Sequence, residues 1–233
     1  MRLKGKMALV TGSGRGVGQQ ISMGLAGLGA DIILHGRKIE NTSRTYGLLK
    51  KYNVKVYQLE GDLSDNRQIA DLTDQVLNRF EGIDILYNNA AVMSPFRNNF
   101  WEHRPEDWGQ IFQVNLFAVY YLCSAFIPGM IKRGFGRVIN LTSGIKDQPE
   151  MAPYSTSKAA VDKLTKDIAG KLENTGVRIN MLDPGWLKTD MGGENAWHEI
   201  EEVLPGALVP AVIEDNGPNG HFFSAIELKD ARL

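Results

Sequence analysis

Met7-Ala8-Leu9-Val10-Thr11-Gly12-Ser13-Gly14-Arg15-Gly16-Val17-Gly18 decides how the chain is read. The short apolar run Met7–Val10 leads directly into a glycine-rich turn, and Val17, Ile21, Leu25 and Leu28 then recur at helical spacing. Strand, glycine turn, helix is the order in which a backbone can approach a pyrophosphate. Glycines permit the sharp turn and the close contact, and amides at the helix N-terminus face the negative charge. Gly12, Gly16 and Gly18 follow the spacing G-x-x-x-G-x-G rather than the commoner G-x-G-x-x-G. A glycine-rich turn alone is a weak signal; its place between strand and helix makes Gly12, Ser13, Arg15, Gly16, Val17 and Gly18 a candidate dinucleotide site.

Working outward, the same alternation repeats. Met7–Val10, Ile32–Leu34, Val54–Leu59, Ile83–Tyr87, Val138–Leu141 and Val177–Leu182 are strand candidates, nearly continuous in apolar residues, as parallel strands covered on both faces require. Ile69, Leu72, Val76 and Phe80 mark one helix between them, and Val161, Leu164, Ile168 and Leu172 another, with Pro153 near its start. The pattern predicts an α/β fold with right-handed crossovers: one doubly wound parallel sheet of the Rossmann type, helices on both faces, and a single domain over residues 1–233. Two polar, aromatic or glycine-rich stretches interrupt the rhythm, Ala91–Pro105 and Asp183–Trp197, the second extending to about residue 204. Both follow strands at their carboxyl ends, where open parallel sheets bind ligands, so both are candidate substrate loops.

The exit of the second strand bears on cofactor choice. An acidic residue there would bind ribose hydroxyls, and a basic one a 2′-phosphate. The strand ends His35-Gly36-Arg37-Lys38 with no carboxylate; Arg37 and Arg15 are the candidate phosphate ligands. NADP(H) is therefore favoured, and NAD(H) is left open. Asp62-Leu63 follows the third strand, where the carboxylate would either accept from an adenine amino group or cap the helix beginning near Ser64. Asn88-Asn89-Ala90-Ala91 follows the fourth. The asparagines are expected to tie down turn backbone, Asn88 structurally, with Asn89, Ala90 and Ala91 lying against the nucleotide.

Tyr154 and Lys158 are four apart on a predicted helix and share a face. A phenol with a pKa near 10 is a poor acid or base at neutral pH, and a neighbouring ammonium would lower that value. Tyr154 could then exchange a proton with a carbonyl or alcohol oxygen while Lys158 also holds a ribose. Ser143 ends the fifth strand, where its hydroxyl could hold the substrate oxygen before the tyrosine. Asn115 falls inside a helix after the fourth strand. It is either a tolerated polar residue, a kink, or the holder of a water that returns protons to Lys158. Met93, Phe96, Met151, Trp186, Met191 and Trp197 are the candidate substrate-facing residues and suggest a largely apolar pocket with aromatic walls.

Thr11–Gly18, Asn88–Ala91, Asn115, Ser143, Tyr154-x-x-x-Lys158 and Pro184-Gly185-Trp186-Leu187-Lys188-Thr189 together resemble the short-chain dehydrogenase/reductase family over essentially the full length. The resemblance, which extends to its carbonyl and 3-oxoacyl reductases, implies a catalytic tetrad of Asn115, Ser143, Tyr154 and Lys158. It implies that the loop containing Pro184 and Gly185 meets nicotinamide, with the Leu187 backbone and the Thr189 hydroxyl near its carboxamide. It further implies a homodimer or homotetramer, with the Val114–Ile127 helix and the Tyr154 helix supplying the interface. Three features depart from the family. Ala91 replaces a common glycine. Ser143 and Tyr154 are close in sequence, so the loop carrying Lys146 to Met151 must be short. The tail reads Asn219-Gly220-His221-Phe222-Phe223-Ser224-Ala225, unlike family members that reduce acyl-carrier substrates.

The 233 residues, 43% of them hydrophobic, suffice for one large core, and a formal charge of −1 leaves no footprint for nucleic acid. Cys123 is the single cysteine, read as a packed core thiol. No apolar run appears long enough to span a bilayer, and the first strand begins too early to leave room for a signal peptide; a cytoplasmic protein without a membrane partner is expected. The four histidines are scattered, and no metal site is expected. The expected activity is hydride transfer between nicotinamide and a small-molecule carbonyl or secondary alcohol, with Tyr154 as general acid/base, running as NADPH-dependent ketone reduction. The alternatives are a 3-oxoacyl thioester (acyl-carrier) reductase and a non-catalytic dinucleotide sensor on the same fold.

Overall fold

A computed structural model describes residues 2–145 and 147–233. Met1 and Lys146, the latter in the loop expected to be short, lie outside the described residues. The chain forms a seven-stranded, all-parallel sheet in the order β3-β2-β1-β4-β5-β6-β7. The strands are β1 Met7–Val10, β2 Asp31–Gly36, β3 Val56–Glu60, β4 Ile85–Asn88, β5 Gly136–Leu141, β6 Val177–Asp183 and β7 Phe222–Ser224. The first six correspond to the expected apolar runs. The seventh was not anticipated: it is three residues long, and it exists because Phe222, Phe223 and Ser224 pair with Met181, Leu182 and Asp183.

Among the described residues six α-helices connect the strands: α1 Gly16–Gly27, α2 Ser43–Leu49, α3 Asn66–Phe80, α4 Pro105–Phe112, α5 Ala118–Arg133 and α6 Ala152–Ala169. Alternate residues of each strand feed two apolar layers. Ala8, Val10, Ile32, Leu34, Ile139 and Leu182 pack with α1 and the segment around Val203–Val212. Leu9, Ile33, Leu86, Val138 and Ile179 pack with α3, α5 and α6. This double burial is why the strands read as continuous apolar runs. Pro205 stands between two short 3₁₀ turns of the covering segment, Ile200–Val203 and Gly206–Ala211, and the Tyr87 hydroxyl fastens it by donating to Ala207 O at 2.8 Å.

Between α4 and α5 the backbone makes one π-helical turn, Gln113–Phe117, which carries Asn115. The combined stretch Pro105–Arg133 has 29 residues and a mean hydropathy of 1.6 in its most apolar window. By length and composition alone it could cross a membrane, a test that the buried core helix of a globular domain also passes. Half of that window is buried, with Leu122, Cys123, Phe126 and Met130 against the sheet.

The order of connections reverses between β1 and β4. β2 and β3 extend the sheet on one side of β1, and β4 to β7 on the other. At such a switch point the loops leaving the two central strands diverge and open a crevice. The glycine turn leaves β1 and Asn88–Ala91 ends β4, so the topology brings these two motifs to one edge.

Candidate active site

The glycine turn is held from beneath by side chains that reach it from other strands. Asn89 donates through Nδ2 to Thr11 O at 2.7 Å and Gly12 O at 3.1 Å, while the Thr11 hydroxyl accepts from the amides of Asn89 and Ala90, both at 3.0 Å. Gly12 has φ +63°, and a Cβ on Gly18 would stand 2.5 Å from both Asn89 Nδ2 and Gly12 O, so neither position tolerates a side chain. Asn88 turns the other way, donating to Asn140 Oδ1 at 2.8 Å and toward the Cys123 sulfur at 3.5 Å. Asn88 is structural, as expected, and Asn89, expected against the nucleotide, ties the turn backbone through its side chain. Cys123 is the packed thiol the composition suggested, and burial pushes it up to about 12.

Ser13 does not face the crevice. Its amide donates to His35 O at 3.0 Å and its hydroxyl lies at 2.9 Å from His35 N, so both groups are engaged by β2. His35 is a residue the sequence did not single out. It is 2% exposed, and its ring joins two strand exits: Nδ1 accepts from Gly12 N at 3.4 Å, and Nε2 donates to Gly61 O at 3.0 Å. Only the neutral ring has one acceptor and one donor, and burial holds its pKa down at about 4. A histidine at a strand end, one residue before glycine, was the only available cue.

Helix α1 begins with Arg15 at its N-cap, no side-chain cap and no acidic residue in its first turn. Its leading amides therefore lack a side-chain acceptor. The Arg15 side chain is exposed and ion-paired to Asp190, and the Thr189 methyl lies near Gly16 and Val17 follows in the first turn, so the loop after β6 leans over the glycine turn. Arg37 is exposed at the exit of β2, close enough to Asp62 to help lower its pKa, behind the larger effect of the Ser64 amide. Asp62 Oδ1 accepts from Ser64 N at 2.8 Å and Ser64 Oγ at 2.7 Å. The cap of α3 is Asp65, which accepts from Arg67 N, so the cap alternative for Asp62 falls. Leu63 is buried in the core. Ala90 and Ala91 are half-buried beside the turn.

Tyr154 lies in the first turn of α6, behind Pro153, and Lys158 one turn later; both are buried. Lys158 Nζ donates to Leu141 O at 2.8 Å, at the end of β5, and stands 5.8 Å from the Tyr154 ring centre. Ser143 follows β5 and approaches the phenol closely enough to favour its ionised form. The acidities run against the expectation of an activated phenolate. Burial, then the charge of Asp183, pushes Tyr154 up to about 12, and burial pulls Lys158 down to about 8. The physical reason is that both side chains are themselves desolvated, which opposes the charged form of each, and the charge of Asp183 adds to the effect on the phenol.

Asn115 is 1% exposed, and both ends of its side-chain amide are hydrogen-bonded. Oδ1 accepts from Val92 N at 2.9 Å, and Nδ2 donates to Val92 O at 2.9 Å and Ser157 Oγ at 3.1 Å. It pins the loop after β4 to α6. Both amide protons are taken, and the backbone that carries Asn115 makes a π turn.

Beyond β6, Gly185 adopts φ +82° and Leu187 is buried. Pro184 and Gly185 turn the chain back so that Leu187 bridges His198, and Thr189 Oγ1 accepts from Gly192 N at 3.0 Å. Trp186 and Trp197 meet edge to face at 5.3 Å, both exposed, as are Met191 and Phe96. Met93 lines a cleft of about 400 Å³ with Val92, Pro95, Asp107, Gln110 and Ile111. Met151 sits at the start of α6, and its loop is tied to the loop after β4 by Arg97 N donating to Glu150 O at 3.1 Å. The six residues expected to wall a pocket are thus spread over three loops, and four of them are exposed rather than packed. A larger groove of about 480 Å³ lies among Lys166, Glu173, Arg178 and Asn219, around the last turn of α6.

Comparison with known proteins agrees with this geometry. The family model for short chain dehydrogenases matches residues 6–199. The chain is 33% identical over 211 residues to a 3-oxoacyl-[acyl-carrier-protein] reductase of Aquifex aeolicus, covering 88% of this chain and 84% of the relative. It is 34% identical over 191 residues to gluconate 5-dehydrogenase of Gluconobacter oxydans, covering 81% and 74%. Among solved structures, a 3-oxoacyl (acyl-carrier-protein) reductase from Agrobacterium tumefaciens with NADP bound superposes with a TM-score of 0.86 at 26% identity, over 95% of this chain and 93% of that one. Sheet order, site and similarity lead to one conclusion: the chain belongs to the short-chain dehydrogenase/reductase family of oxidoreductases.

Proposed function

We propose that this chain is an NADP(H)-dependent oxidoreductase that reduces a small-molecule ketone to a secondary alcohol, with Tyr154 delivering the proton. The observation that carries the reading is the convergence of Tyr154, Ser143 and buried Lys158 at the sheet edge that also bears an uncapped helix N-terminus. The fit to a dinucleotide rests on that helix: its first amides need an acceptor, and a pyrophosphate would be one. Arg37 and Arg15 would hold a 2′-phosphate, a reading supported by the NADP-bound structural neighbour; NAD(H) is the weaker alternative. Leu63, Asn89, Ala90 and Ala91 would border the adenosine, with Asp62 beside its base. Gly185, Leu187 and Thr189 would border the nicotinamide. Bound there, the cofactor supplies hydride.

The chain's own residues handle the proton. At neutral pH a phenol pushed up to about 12 is protonated, so Tyr154 is set to donate to a carbonyl oxygen that Ser143 orients. Lys158, at about 8, can be charged or neutral near neutrality, which suits a group that returns a proton to Tyr154. Asn115 acts as a positioning residue by fixing Val92 and Ser157 around this pair. The loops 91–105 and 183–204 would close on the substrate, with Met93, Phe96, Met151, Trp186, Met191 and Trp197 as their apolar contacts.

Nicotinamide absorbance, followed with NADPH and NADH against ketones, aldehydes, sugars and oxoacyl thioesters, tests the reading. Tyr154→Phe is expected to abolish turnover and keep NADPH binding; a variant that turns over normally refutes the assignment. The acyl-carrier alternative is favoured by one relative and the polyol alternative by another, and the panel separates them. A sensor without turnover has no need of the intact Ser143, Tyr154 and Lys158. Self-association is proposed through α6 and through α5 with the π turn before it, where Phe117, Tyr120 and Tyr121 are exposed; light scattering reads it directly.

A further inference from the structure

Val138 packs in the apolar layer that α6 covers, so strand alternation puts Asn140 and Thr142 on the same face, toward α6. Thr142 lies one residue past β5, but its amide still donates to Leu182 O at 2.9 Å, so the pairing with β6 carries on through it. Two hydrogen bonds fix how helix and strand align. Asn140 Nδ2 donates to Thr165 Oγ1 at 2.9 Å, and Lys158 Nζ donates to Leu141 O at 2.8 Å. Later residues of the strand therefore meet earlier residues of the helix. Two residues along a strand advance about 6.6 Å, and four along a helix about 6 Å. Counted from the contact between Asn140 and Thr165, Thr142 faces the turn that holds Val161 and Asp162. Its hydroxyl is close enough to Asp162 to offset part of the rise that burial gives the carboxyl.

Three groups meet here with hydrogen-bonding capacity left over. Thr142 is 3% exposed, and its hydroxyl has no partner among the described residues. Asp162 Oδ1 is enclosed and equally unpartnered, while the residue as a whole is half-buried, so one carboxyl group touches both the interior and the surface. Buried Lys158 carries three N–H donors, of which one goes to Leu141 O. Lys158 and Asp162 are four apart on α6 and share a face. Buried polar groups are normally satisfied, and a hydroxyl, a carboxylate oxygen and an ammonium within one helical turn are the partners that hold an internal water. The other charges acting on Asp162 are Lys166, one turn further along α6, and Asp183 at the end of β6.

We propose that Thr142 and Asp162 hold a water against Lys158, and that Asp162 is the port through which Lys158 regains its proton from solvent. Asp162 is a positioning residue, because it acts on the reaction only through Lys158. The inference rests on the reading of Lys158 as the group that returns a proton to Tyr154. Carbonyl reduction takes the phenol proton, and the ammonium replaces it. Protonated Asp162 then gives its proton to the water, the water gives one of its own to the neutral amine, and solvent reprotonates Asp162. No proton is gained or lost within the chain over one cycle. Burial, by raising the Asp162 carboxyl, brings its proton affinity closer to that of Lys158.

The test needs no substrate. Exchange of the Lys158 ammonium protons with water is measured by NMR on the full chain carrying isotope-labelled lysine, and the signal is assigned by its loss in Lys158→Met. Asp162→Asn keeps an oxygen toward Thr142 but cannot relay a proton, and Thr142→Val removes the hydroxyl at similar volume. Each is expected to slow Lys158 exchange roughly tenfold or more. A purely structural role predicts the opposite. Loosened packing speeds exchange, and loss of the Asp162 charge lowers Lys158, which speeds it as well. Circular dichroism confirms that each variant is folded. Where a ketone substrate is found, turnover by Asp162→Asn is expected to be slow and to be rescued by imidazolium, which leaves the wild type unchanged. Exchange at the wild-type rate or faster in either folded variant, or slowed turnover that imidazolium does not rescue, overturns the proposal. Turnover by Tyr154→Phe would instead overturn the proton-donor reading, whatever the exchange rates give.

Discussion

His35 makes acid sensitivity a property of the cofactor edge. The folded protein holds this ring neutral, at about 4 against an ordinary value of 6.5, because burial penalises the charged form more than Gly61 and Asp62 favour it. The unfolded chain therefore binds the proton first as the pH falls. Stability from this residue is complete above about 6.5 and is lost progressively down to about 4. At roughly 1.4 kcal/mol per unit, the gap corresponds to about 3 kcal/mol, an upper bound for one ring. Protonation would also remove the acceptor of the Gly12 amide and loosen the glycine turn. His35→Gln keeps a donor and an acceptor at similar reach but does not titrate. Urea unfolding of both proteins between about pH 7 and about pH 4 is expected to give a stability difference that shifts against the wild type by up to about 3 kcal/mol. The other histidines and the carboxylates are common to both chains and cancel. Parallel curves, with no change in the difference across this range, refute the argument.

Further outcomes follow from single contacts. Arg37→Asp is expected to weaken NADPH binding at least tenfold and leave NADH nearly unchanged, because it exchanges a charge-assisted contact for repulsion; cofactor fluorescence titration reads both, and equal loss contradicts a phosphate role. Asp190→Asn releases Arg15 from its exposed ion pair and is expected to strengthen NADPH binding only a few-fold, with the gain disappearing in high salt. Asn115→Leu leaves the main chain of Val92 and the hydroxyl of Ser157 without their partner and is expected to cost about 2 to 3 kcal/mol in thermal or denaturant unfolding.

Much of this protein could be read from one dimension. Six strands announced themselves because parallel strands buried on both faces must be continuously apolar. The glycine turn and Tyr154-x-x-x-Lys158 were legible because their constraints act over one turn of chain: a positive φ at Gly12, or two side chains on one helical face. What the sequence could not carry was anything set by a neighbour distant along the chain. β7 is three residues that become a strand only against β6, and α2 is seven residues packed on α1's layer. The partners of Asn115, Val92 and Ser157, came to it only with the fold. Ser13 looked like a ligand until β2 occupied both of its polar groups. The sign of the Tyr154 shift is the clearest case. A lysine four residues away argued for a more acidic phenol; the fold buries both the phenol and that lysine, and the charge of Asp183, at the end of β6, adds to the rise. Residue types and local spacing set which groups are available, but an acidity is a sum over everything within a few ångströms, and only folding decides what stands there.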